Sequence, residues 1–231
     1  MNEVSRQERK FLIDQVQLYE YSHYFSQIMA QDPHNGLDGY EIRSLYFDTI
    51  DDRDFEEKEQ GVEIRRKIRL RNYGATNDFA ILEMKQKQGS AQKKRSLRMK
   101  KEDAKQLIHG NYSVLLSYPE PFALELFGVM NMYCYRPKAV VQYKRKAFIA
   151  KENKIRVTFD HSIVATESHF DIFSESLLQY PVMSSSLAIL EVKYNGFLLS
   201  YIKDLLKVLE RNELSMSKYA MSRSVSKHYH Y

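Results

Sequence analysis

Several residues that define whole classes of protein are scarce in this sequence. Its 231 residues include one cysteine, Cys134, no tryptophan, 8 glycines and 5 prolines. One thiol cannot close a disulfide within the chain or supply a cysteine metal framework, so we expect a reducing, cytoplasmic environment. No base is identifiable beside Cys134, which predicts a buried structural thiol. The low glycine and proline content excludes collagen-like and linker-rich proteins.

Long apolar runs are absent as well. No stretch approaches the roughly 18 consecutive apolar residues that span a bilayer, and residues 1–10 are polar, so we expect neither a membrane span nor a secretory signal. With 43% hydrophobic and 28% charged residues, the chain can bury one sizeable core. No linker or repeat divides it, which predicts a single domain over residues 1–231. The formal net charge of +5 suits an anionic partner without identifying one.

The order of secondary structure follows from the spacing of apolar residues. A period of two predicts eight strands, at 4–13, 40–48, 62–73, 79–88, 93–100, 138–149, 154–160 and 187–194. Helical spacing predicts four helices, at 14–30, 101–109, 121–132 and 197–212, and Asp14 is placed to cap the first. A strand-dominated chain with these helices belongs to the α+β class.

Charge is segregated between the two faces of the predicted strands. In 64–71, one face carries four cations and the other is mostly apolar; the cations are Arg65, Lys67, Arg69 and Arg71. Three further strands contain the pattern Glu-x-Lys, which places an acid and a base on one face; these pairs are Glu8 with Lys10, Glu83 with Lys85, and Glu191 with Lys193.

The repetition of these rows favours a ligand. A solvated face with cross-strand salt bridges explains any single row, but like charges at alternate positions of one strand repel each other. A polyanionic ligand would relieve that repulsion. If the sheet closes into an eight-stranded barrel, alternate positions converge on a lumen that side chains line around one ligand, and the apolar faces pack outward against the helices.

Eight motifs make the chain recognisable: Arg6-Gln-Glu-Arg-Lys10-Phe, Ser44-Leu-Tyr-Phe-Asp48-Thr, Lys67-Ile-Arg-Leu-Arg71, Leu82-Glu-Met-Lys85, Tyr143-Lys-Arg145, Arg156-Val-Thr-Phe-Asp160, Leu190-Glu-Val-Lys193-Tyr and Ser217-Lys218-Tyr. Their order and spacing resemble the catalytic domain of the vacuolar transporter chaperone (VTC) family. This polyphosphate polymerase domain is one of the triphosphate tunnel metalloenzymes. The resemblance runs from about Arg6 to about Tyr219, and the set of motifs is specific where each alone is weak.

The resemblance implies a closed, mostly antiparallel eight-stranded β-barrel with helices packed outside. In the polymerase branch, such a tunnel transfers the γ-phosphate of ATP to a growing polyphosphate chain with Mn²⁺ or Mg²⁺. The implied partners are ATP, triphosphate and polyphosphate, without nucleic acid, because a duplex cannot enter a lumen. The eukaryotic polymerases also carry a phosphate-sensing domain and membrane helices. We expect any regulatory or membrane partner of this chain to act in trans.

The site residues are carried over from the same resemblance. Seven cations match positions that hold phosphate during catalysis: Lys10, Arg69, Arg71, Lys85, Arg145, Arg156 and Lys218. Three more cations lie at alternate strand positions that are expected to face the lumen: Lys93, Arg95 and Lys193. The metal-binding carboxylate is Glu191, with Glu8 and Glu83 as additional metal contacts.

One departure from the wider superfamily bears on the activity. The sequences of tunnel enzymes begin with the motif Glu-x-Glu-x-Lys, whereas this sequence has Arg6 in place of the first glutamate. The loss of a metal-binding charge favours the polymerase branch over hydrolases. Two alternatives stay open: a tunnel triphosphatase that hydrolyses inorganic or nucleoside triphosphate, and a non-catalytic module that binds polyphosphate or another polyanion.

Overall fold

The computed structural model describes residues 6–89 and 91–227. Within them, ten strands are present: β1 (Arg6–Asp14), β2 (Ala30–Gln31), β3 (Tyr40–Asp48), β4 (Ile64–Asn72), β5 (Phe79–Gln88), β6 (Ala91–Lys100), β7 (Arg136–Ile149), β8 (Arg156–Thr166), β9 (Tyr180–Pro181) and β10 (Leu187–Asn195). The same residues form six α-helices: α1 (Gln15–Ile28), α2 (Arg53–Glu59), α3 (Lys101–Ile108), α4 (Pro121–Met132), α5 (Ser200–Leu209) and α6 (Lys218–Lys227). No described helix is long and apolar enough to cross a membrane.

Local sequence explains where α1 and α4 begin. The Asp14 carboxylate accepts from the Gln17 backbone N–H at 2.8 Å, and the Gln17 side chain accepts from the Asp14 N–H at 3.1 Å. This reciprocal capping box satisfies two donors that the first turn of a helix leaves unpaired. Pro121 opens α4, where its missing N–H costs nothing.

The strands form one sheet in the order β1-β10-β8-β7-β3-β4-β5-β6, with β2 paired to β7 and β9 to β8. Each of the eight strands of that order overlaps one of the eight predicted segments; residues 4 and 5 of the first segment lie outside the described residues. The prediction of a closed eight-stranded barrel was wrong in strand number, because β2 and β9 have two residues each and show no readable alternation. It was also wrong on closure within the described residues, where no pairing joins β1 to β6.

The chain divides into two compact units. The first contains the described residues up to Glu41 together with Tyr143–Ile163 and Met183–Ser217. In its core, α1 and α5 pack against the strands; buried residues there include Phe25 of α1, Leu206 of α5 and Phe159 of β8. The single-domain organisation over 1–231 stays a prediction.

The second unit contains Ile42–Gln142, Val164–Val182 and the described residues from Lys218. Its core joins β3–β6 to α3 and α4, with Leu82, Leu107 and Leu126 fully buried. In both units, the apolar side chains of the core come from the long strands and the helices that pack on them.

Three local predictions need correction. The helix at 197–212 is shorter, because α5 covers Ser200–Leu209 and a 3-10 turn follows. The sequence reading missed α2 and α6, which are short and rich in polar residues. Cys134 is exposed rather than buried, since it follows α4 in the left-handed conformation (φ 51°) at a surface helix end.

Candidate functional site

The first unit builds a charged cluster from two interlocked Glu-x-Lys motifs. In the antiparallel pairing of β1 with β10, Glu8 lies opposite Lys193 and Lys10 lies opposite Glu191. Residues directly opposite share a face, so acid and base alternate in both directions across the sheet. The Lys10 ammonium is 2.9 Å from a Glu8 oxygen, and Lys193 forms an ion pair with Glu191.

Arg145 and Asp160 extend this cluster across β7 and β8. The guanidinium donates to both carboxylate oxygens of Asp160, at 2.6 Å and 2.7 Å, and its Nη2 lies 3.7 Å from Glu191 Oε2. Burial opposes the charge, but the Asp160 carboxylate raises the pKa of Arg145 well above its usual value. Arg145 is therefore a fixed cation whose fork is already engaged by a buried acid.

The pKa values of the two lysines of the cluster shift in opposite directions. Burial lowers the pKa of both ammonium groups. For Lys10, Glu191 and Glu8 outweigh it and the pKa is raised. For Lys193, burial and the nearby Arg145 prevail over the two glutamates, and the pKa is lowered.

Arg156 is the most exposed of the four cations in this cluster. It lies opposite Lys193 in the β10–β8 register, and its Nη2 donates to Asp32 at 2.9 Å and to the Tyr40 hydroxyl at 3.0 Å. With Asp32 included, four cations in this cluster meet four carboxylates: Lys10, Arg145, Arg156 and Lys193 against Glu8, Asp32, Asp160 and Glu191. The cluster is electrically balanced.

The second unit carries a different pattern, which we call the cationic face. It is the face of β4, β5 and β6 that includes Glu83. Lys67 lies opposite Lys85, and Lys85 lies opposite Lys94. Nine cations share this face with that one strand carboxylate; they are Arg65, Lys67, Arg69, Arg71, Lys85, Lys87, Lys94, Arg98 and Lys100. Like charges directly opposite destabilise a sheet, so this face favours an anion.

Glu83 organises the inner end of the cationic face. Arg69 Nε donates to it at 2.6 Å, Arg71 Nη2 lies 3.7 Å away, and Lys94 forms an ion pair with it. Burial alone would raise the pKa of Glu83, but Arg69 and Arg71 lead the opposing charges and lower it to about 2. One ionised acid thus holds three cations near one point.

An aromatic pair adjoins the same face. Tyr46 and Tyr219 stack with ring centroids 5.1 Å apart, and the Tyr219 hydroxyl donates to Asp48 at 2.7 Å. The Lys67 ammonium lies 5.7 Å and 6.0 Å from the two ring centroids, a cation–π arrangement. Lys218 opens α6 beside Tyr219, so this packing also places Lys218. Sequence reasoning named Lys218 and missed the tyrosines, although both lie in the quoted motifs.

Lys93 and Arg95 lie on the opposite face from the predicted one. Arg95 lies opposite Met84 and Lys93 opposite Gln86, and Arg95 pairs with Glu125 over the Phe122 ring. The cationic face instead contains Lys94, Arg98 and Lys100, which the sequence reading missed. A shift of one residue exchanges the two faces of a strand, and the β5–β6 register decides it.

The predicted ligands for Mn²⁺ or Mg²⁺ are the carboxylates of Glu8, Glu83 and Glu191. Among the described residues, no group of three or more His, Cys, Asp or Glu side chains could hold a metal ion. Glu8 and Glu191 lie on neighbouring strands, and the carboxylates of both contact the Lys193 ammonium. Mg²⁺ often takes only one or two carboxylates from a protein and completes its shell with phosphate and water. Glu83 belongs to the second unit, where its carboxylate meets three cations.

Comparison with known proteins identifies the family. The model of the VTC domain family matches residues 5–227, and the chain belongs to that family. A putative adenylate cyclase from Bacillus halodurans is similar in fold, with a TM-score of 0.52 and 12% identity over 92% of this chain and 95% of that one. A putative adenylyl cyclase from Hippeastrum, described as having a dominant triphosphatase activity, is also similar in fold. Its TM-score is 0.55, and its sequence is 13% identical over 95% of this chain and 96% of that one. No curated protein matches the chain.

Proposed function

We propose that this protein is a metal-dependent polyphosphate polymerase that transfers the γ-phosphate of ATP to a growing polyphosphate chain. The observation that carries the proposal is the row Lys67, Lys85 and Lys94, three cations directly opposite one another on successive strands. Membership of the VTC domain family and the family's motifs in this chain support the same function.

The arrangement of charge suits phosphate better than other anions. At an effective dielectric of about 20, a cation roughly 4 Å from one phosphate charge contributes about 4 kcal/mol before desolvation is subtracted. Arginine offers a planar fork to two phosphate oxygens, and lysine offers a compact charge. A chain of phosphates carries a charge on every unit, so it can neutralise a row of cations that a single carboxylate cannot.

Phosphoryl transfer requires positioning and neutralisation of charge more than covalent chemistry. We assign phosphate binding to Arg69, Arg71, Lys85 and Lys218 in the second unit, and to Lys10, Arg145 and Arg156 in the first. Glu191 and Glu8 would hold Mn²⁺ or Mg²⁺, which polarises the transferring phosphoryl group when bound.

A non-catalytic polyanion-binding module is the second candidate. It is favoured by the absence, among the described residues, of a group of three acidic or other metal-binding side chains. On this interpretation, the cationic face binds polyphosphate and the glutamates are only salt-bridge partners. Hydrolysis of triphosphate, the activity described for the Hippeastrum protein, is the enzymatic alternative.

One assay separates these functions. Purified protein is incubated with ATP and Mn²⁺, and the products are resolved by chain length, with a metal-free reaction as control. A ladder of polyphosphate in the metal-containing reaction alone supports the polymerase. Release of free phosphate without a ladder indicates a triphosphatase. Binding of triphosphate without turnover indicates the binding module.

A further inference from the structure

The loop at 32–39, between β2 and β3, carries an acid, Asp32, that is already paired with Arg156, one of the proposed phosphate-binding cations. Asp32 Oδ2 accepts from Arg156 Nη2 at 2.9 Å, and the Tyr40 hydroxyl lies 3.0 Å from the same nitrogen. Both protons of Nη2 are therefore engaged. Among the described residues, the buried Nε of Arg156 has no hydrogen-bond partner. Since either bidentate edge of a guanidinium uses this Nη, the fork cannot grip phosphate until Asp32 or Tyr40 yields.

The position of Asp32 does not depend on Arg156. Its backbone N–H donates to the Ala147 carbonyl at 2.9 Å, and Asn35 bonds the Ala147 backbone in both directions, at 2.8 Å and 3.0 Å. Gly39 adopts φ +89° against the Arg145 carbonyl, where an added Cβ would lie only 2.2 Å from the oxygen. The loop is thus fastened to β7 by the Asp32 backbone and the Asn35 side chain, and it holds the carboxylate in place.

The other oxygen of Asp32 is held from the loop itself. Oδ1 accepts from the His34 backbone N–H at 3.1 Å and lies 2.9 Å from His34 Nδ1. Burial would raise the pKa of Asp32, but His34 and Arg156 lower it, so the group is ionised at neutral pH. Arg156, by contrast, keeps 37% of its side chain exposed, within reach of a ligand.

We propose that Asp32 is an internal competitor of phosphate for the Arg156 guanidinium, so that it limits the affinity of the protein for short polyanions. This inference rests on the proposed function, because it takes Arg156 as a phosphate-binding residue. A polyanion with several charges can displace the acid where a single phosphate cannot. Asp32 would therefore favour longer phosphate chains over orthophosphate.

The test is the affinity for inorganic triphosphate without metal, measured by calorimetry on the full chain. Asp32→Asn should bind triphosphate about two- to five-fold more tightly, since a partly exposed ion pair has that strength. Arg156→Gln should bind more weakly, and adding Asp32→Asn to it should bring no gain. Asp38→Asn is the matched control, because it removes the same charge from the same loop at a carboxylate paired with Lys144. Its affinity should equal that of the wild type.

The outcomes distinguish this proposal from the function on which it rests. Unchanged or weaker binding by Asp32→Asn overturns it, even if the wild type produces polyphosphate. If Asp32→Asn binds more tightly but the wild type produces none, the proposal stands and the polymerase fails. A wild type that does not bind triphosphate overturns both. Should Asp32→Asn prove unstable, Asp32→Ser removes the same carboxylate. Its gain in triphosphate affinity must again disappear when Arg156→Gln is added.

Discussion

Glu191 lies directly opposite Lys10 on the neighbouring antiparallel strand, and the same register places Glu8 opposite Lys193. Each acid therefore meets a base both along its own strand and across the pair. Such a lattice holds carboxylates and ammonium groups at fixed positions while leaving little net charge. It permits two roles for Glu191, as a metal ligand or as a structural counterion, and these roles predict different results.

Glu191→Gln should separate turnover from binding. If Glu191 holds the metal, ATP turnover with Mn²⁺ should fall at least about a hundred-fold, the scale of losing one preorganised charge-stabilising group. Affinity for triphosphate without metal should stay equal or rise, because a repulsive charge is removed. Glu125→Gln, which breaks the exposed pair with Arg95, is the control and should turn over normally. Wild-type turnover by Glu191→Gln would reject the metal assignment.

Lys94 and Lys93 are adjacent lysines on opposite faces of β6, and both are exposed. Lys94→Ala should weaken triphosphate binding by about two- to five-fold, typical of one exposed charge pair, and the loss should shrink at high salt. Lys93→Ala removes an equal charge from the other face and should leave the affinity unchanged. Titrations at two salt concentrations measure both effects. Equal losses in the two variants would mean that only net charge matters.

Glu83 should make the protein sensitive to acid. Its pKa is lowered from 4.5 to about 2 in the folded state, so its contribution to stability is present above about pH 4.5 and is lost as the pH falls through about 2. This corresponds to roughly 3 kcal/mol in the free energy of unfolding. Glu83→Gln should lose that part of the acid dependence. Denaturant unfolding of both proteins between pH 2 and pH 6 provides the measurement.

The same variant tests the cationic face. Glu83→Gln leaves Arg69, Arg71 and Lys94 without their shared acid, which should lower the melting temperature. Added triphosphate should raise that temperature more in Glu83→Gln than in the wild type, because the ligand replaces the missing charge. A smaller rise in the variant would show that Glu83 is needed for the face to bind anions.

Asp54 should produce the opposite pH dependence. Burial, then the charge of Asp48, raises its pKa to about 8, and the carboxyl accepts from the Tyr135 hydroxyl at 3.0 Å. The folded protein then holds a proton that the unfolded chain releases, so the free energy of unfolding falls as pH rises from about 4 to about 8. Asp54→Asn resembles the protonated group and should remove most of that fall. Urea unfolding at pH 5 and pH 8 compares the proteins, and an equal fall in both would contradict the assignment.

The sequence by itself determined the strands and their charged faces, because alternation is a local property of each strand. The eight long strands, the row from Arg65 to Arg71 and the three Glu-x-Lys pairs could all be read in this way. Tertiary structure decided which rows face each other. The β5–β6 register selected Lys94 over Lys93, and only the β1–β10 pairing set Glu191 against Lys10.

Contacts between distant segments could not be read from alternation. Asp32 and Arg156 are 124 residues apart, and their ion pair exists because hydrogen bonds from the Asp32 backbone and the Asn35 side chain fasten the loop at 32–39 to β7. Tyr219 likewise reaches Asp48 across 171 residues. Register and loop anchoring depend on hydrogen bonds between segments that no local pattern encodes. For this reason the sequence determined the chemistry of the site, while the fold decided its partners.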